Sequence, residues 1–391
     1  MLPGYGPLRD DTEELRVVSD LVGWSFGFAP ADAEPWLRRG GIENVRVLRR
    51  GGAAVASLMV VPMGQFFGGR SVPMAGIAGV ATAPEARGTG AATELMRTAM
   101  RDLRAAGWPI STLFPATRPL YRRSGYEPAG GRMELTMPVA RIGMGDRKLP
   151  VRAIQAGDEE AVVAAYTEHA RDVAGHLDRG DYIWSRVRAP RGEATRGYLV
   201  EQDGRVAGYV YLFEKRTVPP NFDLRITDVV ARTPEAARRL LTFIGDHATT
   251  GSTVTWFTGP AGTLEQMLPE VGYELRLHDH WMLRVVDVAG ALAVRGYPEG
   301  LEVEVHLDVR DELIPENQGR FVLSVAGGRG EVRKGGRGEL RLDVRGLAPL
   351  YTGHLSPVAL VASGLLEGPS AELARAAAVF AGPAPWMPDM F

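Results

Sequence analysis

Cysteine is absent from all 391 residues, which excludes disulfides, thiolate-bound metals and a cysteine nucleophile, and removes any need for an oxidising compartment. No sign of charge dominates either: 45 lysines and arginines face 47 aspartates and glutamates, a formal net charge of −2. A nucleic-acid surface needs a basic footprint that this balance does not supply. No run approaches the roughly 20 apolar residues of a membrane-spanning helix, and the polar, acidic stretch from Met1 to Glu14 does not read as a signal peptide. A cytoplasmic chain without nucleic-acid or membrane partners is therefore expected. Its length suits two or three domains, each with its own core.

The most informative stretch runs from Ala75 to Pro128. Gly76 to Ala83 is apolar at nearly every position, as in a strand buried on both faces. Pro84 to Ala92 follows, where Gly88 and Gly90 can take positive φ and let backbone N–H groups converge on an anion. From Thr93, the residues Leu95, Met96, Ala99, Met100 and Leu103 recur at spacings of three and four, which predicts a helix with one buried face. The positive end of its dipole opens on the glycine turn, where Arg87 adds a full charge, so a pyrophosphate site is expected there. The spacing is not Gly-x-Gly-x-x-Gly, which argues against a dinucleotide site. Ile110 to Phe114 reads as the next strand and Tyr121 to Pro128 as a short helix or loop.

Before this stretch, Asp11 and Glu14 read as a capping box opening a helix. Trp24, Phe26, Phe28 and Trp36 fall in a Gly/Pro/Ala-rich segment read as a loop, where four aromatics could wall a substrate cleft. Val45 to Leu48, Gly51-Gly52 and Val55 to Val61 predict a hairpin leading into the glycine turn. After a linker near Arg141 to Pro150, the pattern repeats. Thr82-Ala83-Pro84-Glu85-Ala86-Arg87 is echoed by Arg232-Thr233-Pro234-Glu235-Ala236-Ala237-Arg238, and Ser124-Gly125-Tyr126-Glu127 by Val271-Gly272-Tyr273-Glu274. The second copy has no glycine to open an anion nest and no tyrosine matching Tyr121. His278 and His280 stand on one strand face with no third ligand evident, so no metal is expected. From about Ala289, alternating strands at Leu301 to Val309, Phe321 to Val325 and Leu340 to Val344 precede helical segments at 347–355, 357–364 and 371–380, an α+β pattern.

Arg87, Gly90 and Ala92, set between a buried strand and an amphipathic helix, resemble the acyl-CoA signature of the GNAT acyltransferase superfamily. The whole chain, through Val72-Pro73-Met74-Ala75-Gly76, Tyr121-Arg122-Arg123-Ser124-Gly125-Tyr126 and a final Phe391, resembles the Eis-type (enhanced intracellular survival) N-acetyltransferases of actinobacteria. That resemblance implies a mixed α/β and α+β fold: a catalytic GNAT domain at 1–148, a degenerate GNAT-like domain at 149–288 and a sterol carrier protein-like domain at 289–391. It implies acetyl-CoA as co-substrate, a small-molecule amine as acceptor and a homo-oligomer, hexameric by resemblance. Cofactor contacts are expected from Val80, Thr82, Arg87, Gly88, Thr89, Gly90, Ala91 and Ala92. Tyr121 is expected as the general acid, and the Phe391 carboxylate as the group that draws a proton from, or orients, the amine. Trp24, Phe26, Phe28, Trp36 and Asp389 are expected to meet the substrate.

Relatives that acetylate aminoglycosides carry an aspartate two residues after the aromatic that Trp24 matches and a glutamate before the terminal phenylalanine. Phe26 and Met390 stand there instead. Fewer acids attract a polycation less, so amine acetylation is expected with inefficient aminoglycoside turnover, Asp32, Glu34 and Asp389 being the acids that remain. The competing reading is an acyl-CoA or lipid carrier without turnover, and the small residues Ala78 and Gly79 leave room for a bulkier acyl group.

Overall fold

The computed structural model describes residues 4–9, 11–27 and 29–391. Phe28 lies outside the described residues. The chain divides into two compact units: Met1–Ala129 with Trp281–Gly382 and Phe391 in the first, Gly130–His280 with Pro383–Met390 in the second.

The first unit opens with β1 (Tyr5–Pro7) and α1 (Thr12–Phe26). Asp11 caps α1 by accepting the Glu14 N–H at 2.6 Å. The reciprocal half of the expected capping box does not form, because the Glu14 carboxylate accepts the Arg9 N–H at 2.7 Å and pairs with buried Arg49 at 2.5 Å. A buried guanidinium has the stronger claim on that carboxylate than an exposed N-cap amide. Gly27, left-handed at φ 72°, ends α1, and Pro30 starts α2 (Pro30–Gly40) at its first turn. The segment expected as an aromatic loop is therefore largely helical: Trp24 and Phe26 belong to α1 and Trp36 to α2. Glycine and proline here are a C-cap and an N1 residue, positions where each favours a helix boundary over a long loop.

Strands β2 (Val45–Arg50), β3 (Ala53–Phe67) and β4 (Arg70–Thr82) form an antiparallel meander, with β1 on the far side of β2. Gly51 and Gly52 make the first turn with positive φ, as a tight hairpin requires. Helix α3 (Ala91–Ala105) crosses to β5 (Ile110–Leu113), which pairs parallel to β4, and α4 (Arg118–Arg122) leads to β6 (Glu127–Pro138). The apolar face of α3, with Leu95, Met96, Ala99, Met100 and Leu103, is buried as its spacing predicts.

The second unit holds β7 (Val151–Ala153), α5 (Glu159–Arg171), β8 (Leu177–Asp178), α6 (Asp181–Arg188), β9 (Arg196–Gln202), β10 (Arg205–Arg216), β11 (Phe222–Ala231), α7 (Pro234–Gly245), β12 (Gly251–Thr258) and the start of β13 (Glu274–Val285). Its strands follow the order β6-β12-β11-β10-β9-β7, with β11 and β12 parallel. Leu135, Val210, Leu224, Leu240 and Ile244 share its core. Asp203 and Gly204 turn the β9–β10 hairpin with positive φ. Helix α7 starts directly from Thr233, whose hydroxyl accepts the Ala236 N–H at 3.1 Å, so a side chain fills the place an anion would need.

The end of β13 returns to the first unit, pairing antiparallel with β5. Then come α8 (Val288–Val294), β14 (Val303–Arg310), β15 (Gly319–Ala326), β16 (Arg329–Lys334), β17 (Leu340–Asp343), α9 (Val344–Thr352), α10 (Pro357–Ala362) and α11 (Ser370–Val379). The four strands run β16-β15-β14-β17, with β14 and β17 parallel, bearing out the α+β expectation. Strand β16 is not marked by the sequence pattern: its charged, glycine-flanked residues lack alternation because it is a half-exposed edge. Among the described residues, no helix is long and apolar enough to cross a membrane.

Candidate active site

The site begins with a mismatch in strand length. Strand β4 spans 13 residues and β5 only four, and their pairing covers Met74 to Ile77 against Ile110 to Leu113. From Ala78 to Thr82, β4 keeps β3 on one side while β5 has ended on the other. A row of backbone N–H and C=O groups is thereby left for an extended ligand to pair with. Val80 and Thr82 lie on this free edge.

A bulge bends the same segment. Ser57 pairs with Ala81 and Met59 with Ala78, so Gly79 and Val80 together oppose Leu58. Gly79 sits at φ 58°, and the Trp36 ring stands where a Cβ on Gly79 would lie. Trp36 is thus brought to the β4 edge. Trp24 and Phe26, 75% and 48% exposed, lie on the outer face of the last turn of α1.

Beyond Thr82 the chain passes through a 3-10 turn at Pro84–Ala86, extended Arg87, then Gly88 and Gly90 at φ 77° and 83°. Helix α3 starts at Ala91 with no side chain among the described residues capping it, so the amides of Ala91 and Ala92 open a positive helix end. Arg87, Gly88 and Gly90 are exposed around them. The Thr89 hydroxyl is engaged within the protein itself, donating to Ala86 O at 2.7 Å and accepting from Arg50 at 2.8 Å, while Arg50 also pairs with Glu94 at 2.6 Å. Thr89 thereby holds the turn to β2, a role that residue spacing does not reveal.

At the other end of the opening, α4 carries Tyr121, 5% exposed, edge-on to Tyr126 with ring centroids 6.2 Å apart. The Tyr126 hydroxyl lies 2.7 Å from Ser111 Oγ, which donates to Ala75 O at 2.7 Å, anchoring the pair to the β4–β5 junction. Burial pushes the Tyr121 phenol up to about 12 and the Tyr126 phenol higher. Gly125, at φ 85°, admits the guanidinium of buried Arg284, itself paired with Asp311 at 2.6 Å. That support comes from sequence-distant residues that no local motif marks.

Phe391, 8% exposed, meets Phe114 edge-on at 5.9 Å and packs on Gly76. Phe114 directly follows β5 and Gly76 is in the last paired stretch of β4, so the ring sits where the two strands part. Asp389, expected as a substrate contact, belongs to the second unit and is buried in an ion pair with Arg179 at 2.9 Å. Burial raises its carboxyl above the usual range, partly offset by Arg179. In the same unit Asp279 pairs with Arg132 at 2.5 Å and the His278 ring packs on Phe257 at 5.2 Å. Among the described residues no group of three or more ligand-type side chains is placed to hold a metal ion.

Residues 9–129 and 175–285 each match an acetyltransferase (GNAT) domain, and residues 288–388 a sterol carrier protein domain. The structure of a GCN5-related N-acetyltransferase from Anabaena variabilis is similar with a TM-score of 0.95 and 38% identity, covering 99% of this chain and 100% of that one. An uncharacterized N-acetyltransferase of Streptomyces avermitilis is 29% identical over 344 residues, 83% of each chain. N-acetyltransferase Eis of Mycobacterium tuberculosis is 27% identical over 281 residues, 66% of this chain and 65% of its own. With its strand, turn and helix intact in one GNAT domain and the turn closed in the other, the chain belongs to the GCN5-related N-acetyltransferases, as an Eis-like member with a C-terminal sterol carrier protein-like domain.

Proposed function

We propose that the chain transfers an acetyl group from acetyl-CoA directly to the nitrogen of a primary amine, of the aminoglycoside, polyamine or lysine type, within a ternary complex. The observation that carries this reading is the parting of β4 and β5, with the uncapped start of α3 beyond one end and Tyr121 and Phe391 at the other. The residues present fit the co-substrate. Backbone groups of Val80 and Thr82 suit the amides of an extended pantetheine arm. Arg87, Gly88, Gly90, Ala91 and Ala92 suit a pyrophosphate, with Thr89 bracing the turn.

Bound acetyl-CoA supplies an activated acyl group, so the protein's part is orientation and proton transfer. Tyr121 keeps its proton at neutral pH, since burial lifts its pKa to about 12, and donates it to the departing thiolate. The same loss of water that raises the phenol also raises the thiol, because each anion is desolvated, so the transfer stays close to balanced. The Phe391 carboxylate orients the amine and accepts its proton, directly or through water. Without cysteine, no thioester forms on the protein.

The test is thiol release from acetyl-CoA over a panel of aminoglycosides, polyamines, lysine derivatives and arylalkylamines, with Tyr121→Phe and a chain lacking Phe391 alongside. Turnover lost in both variants while acetyl-CoA still binds supports the roles assigned. Tight acetyl-CoA binding with no turnover of any amine would sink the reading in favour of a carrier.

A further inference from the structure

The second unit contains a cavity of its own, ≈ 290 Å³. Its floor follows from register: Phe213, Arg225 and Thr255 are direct neighbours across β10, β11 and β12 and share one face of the sheet. One wall is α6 and the turn after it, with Arg186 and Arg191. The Thr227 hydroxyl donates to Val187 O at 2.8 Å and fixes that helix to β11. Pro388 to Met390 and Phe257 complete the lining.

The charges lining this cavity do not cancel. Both of its carboxylates are committed, Glu134 to Arg276 at 2.5 Å and Asp389 to Arg179 at 2.9 Å. Among its cations, Arg132 is answered by Asp279. Arg186 donates to a carbonyl, Met390 O, at 2.8 Å. Among the described residues, no carboxylate pairs with Arg186, Arg191 or Arg225. Arg186 and Arg225 are half-buried and Arg191 is exposed at the rim; a half-buried guanidinium beside aromatic side chains is a costly arrangement unless an anion completes it.

Backbone conformation points the same way. Arg191 adopts φ 51°, a left-handed conformation that a non-glycine residue occupies only under strain, although Gly192 stands beside it. Strain of this kind is kept where a side chain is needed in one place.

We propose that this cavity binds a small organic anion, an apolar body bearing one carboxylate or phosphate. Arg225 and Arg191 hold the charge by paired N–H···O⁻ bonds, and Phe213, Trp256 and Phe257 take the body. All of its lining residues lie in the second unit.

Calorimetry on the full chain tests this, with CoA saturating so that phosphate probes cannot occupy the turn before α3. The probes are phenylacetate, phenyl phosphate, inorganic phosphate and, as the matched cation, phenethylamine. Phenylacetate or phenyl phosphate is expected to bind one per chain, and Arg225→Gln to weaken it about tenfold. Arg191→Gly is expected to weaken the same probe while raising Tm, because glycine relieves the left-handed strain. Since Arg191 is exposed, that variant carries the test if Arg225→Gln fails to fold. Phenethylamine binding as tightly as the anions, inorganic phosphate matching phenyl phosphate, no binding of either organic anion, or affinity unchanged in the arginine variants would each overturn the proposal.

Discussion

The ring of Phe391 lies against the backbone of Gly76 so closely that a Cβ there would stand 2.9 Å from its Cε2 and 2.5 Å from the Met63 methyl. Gly76→Ala therefore forces either neighbour to move. A stability loss of about 1–3 kcal/mol is expected from overpacking, read by denaturant unfolding, with a fall in kcat that exceeds any change in acetyl-CoA affinity. An alanine variant with full kcat would show that the Phe391 seat does not matter to the reaction.

Tyr121 has a folded-state pKa raised by burial to about 12, against about 10 in the unfolded chain. A group raised in this way contributes stability below pH 10 that is lost as pH rises through 12. Phenolate absorbance should show one fewer late-titrating tyrosine in Tyr121→Phe, and kcat should drop by about 10²–10⁴. Full activity in the phenylalanine variant would remove Tyr121 from the mechanism.

Ala92 lies in the first turn of α3, where no side chain caps the helix. Ala92→Glu places a carboxylate at the positive helix end, worth about 0.3–1 kcal/mol of added stability. The same carboxylate competes with a bound pyrophosphate, so KM for acetyl-CoA should rise sharply while Tm holds or increases. Unchanged KM would move the anion site elsewhere.

Arg179 in the second unit is fully buried between Asp228 at 2.5 Å and Asp389 at 2.9 Å, with its guanidinium 3.7 Å from the Tyr166 ring centroid. Arg179→Met leaves two buried carboxylates without a counter-charge, for a loss of about 3–5 kcal/mol. Asp389→Asn keeps Asp228 on Arg179 and should cost less. Equal urea midpoints for the two variants would contradict the network as described.

His176 is buried against Trp386, 4.5 Å between ring centroids, and neither ring nitrogen has a hydrogen-bond partner among the described residues. Burial holds its pKa well below 6.5, so the stability it contributes is present above pH 6.5 and lost as pH falls. Unfolding free energy should decline by about 1.4 kcal/mol per pH unit per histidine below that point. His169, also lowered by burial, adds to the slope. His176→Phe should flatten it by about one proton's worth; a slope that survives intact would place the acid sensitivity elsewhere.

Much of the catalytic half is legible residue by residue. The spacing on α3, the apolar run of β4 and the Gly51-Gly52 hairpin are local patterns, and each forms the element predicted. Two of the three misses come from long-range ion pairs and one from local helix boundaries. Glu14 fits a capping box by spacing, but Arg49 takes it. The aromatic segment looks like a loop by composition, but Gly27 and Pro30 serve as helix boundaries. Asp389 reads as an available acid near the chain end, and Arg179 buries it.

The sequence alone determined what depends on neighbours along the chain: which glycine turns carry positive φ, which faces are apolar, which chemistry the lack of cysteine removes, and which repeat keeps its glycines. Only the tertiary structure decided where β4 and β5 part, that Phe391 meets Gly76, and that Arg179 gathers Asp228 and Asp389. Those pairings join residues far apart in the chain. They are chosen by which buried charges and surfaces must satisfy one another once water is excluded, a competition that no local spacing records.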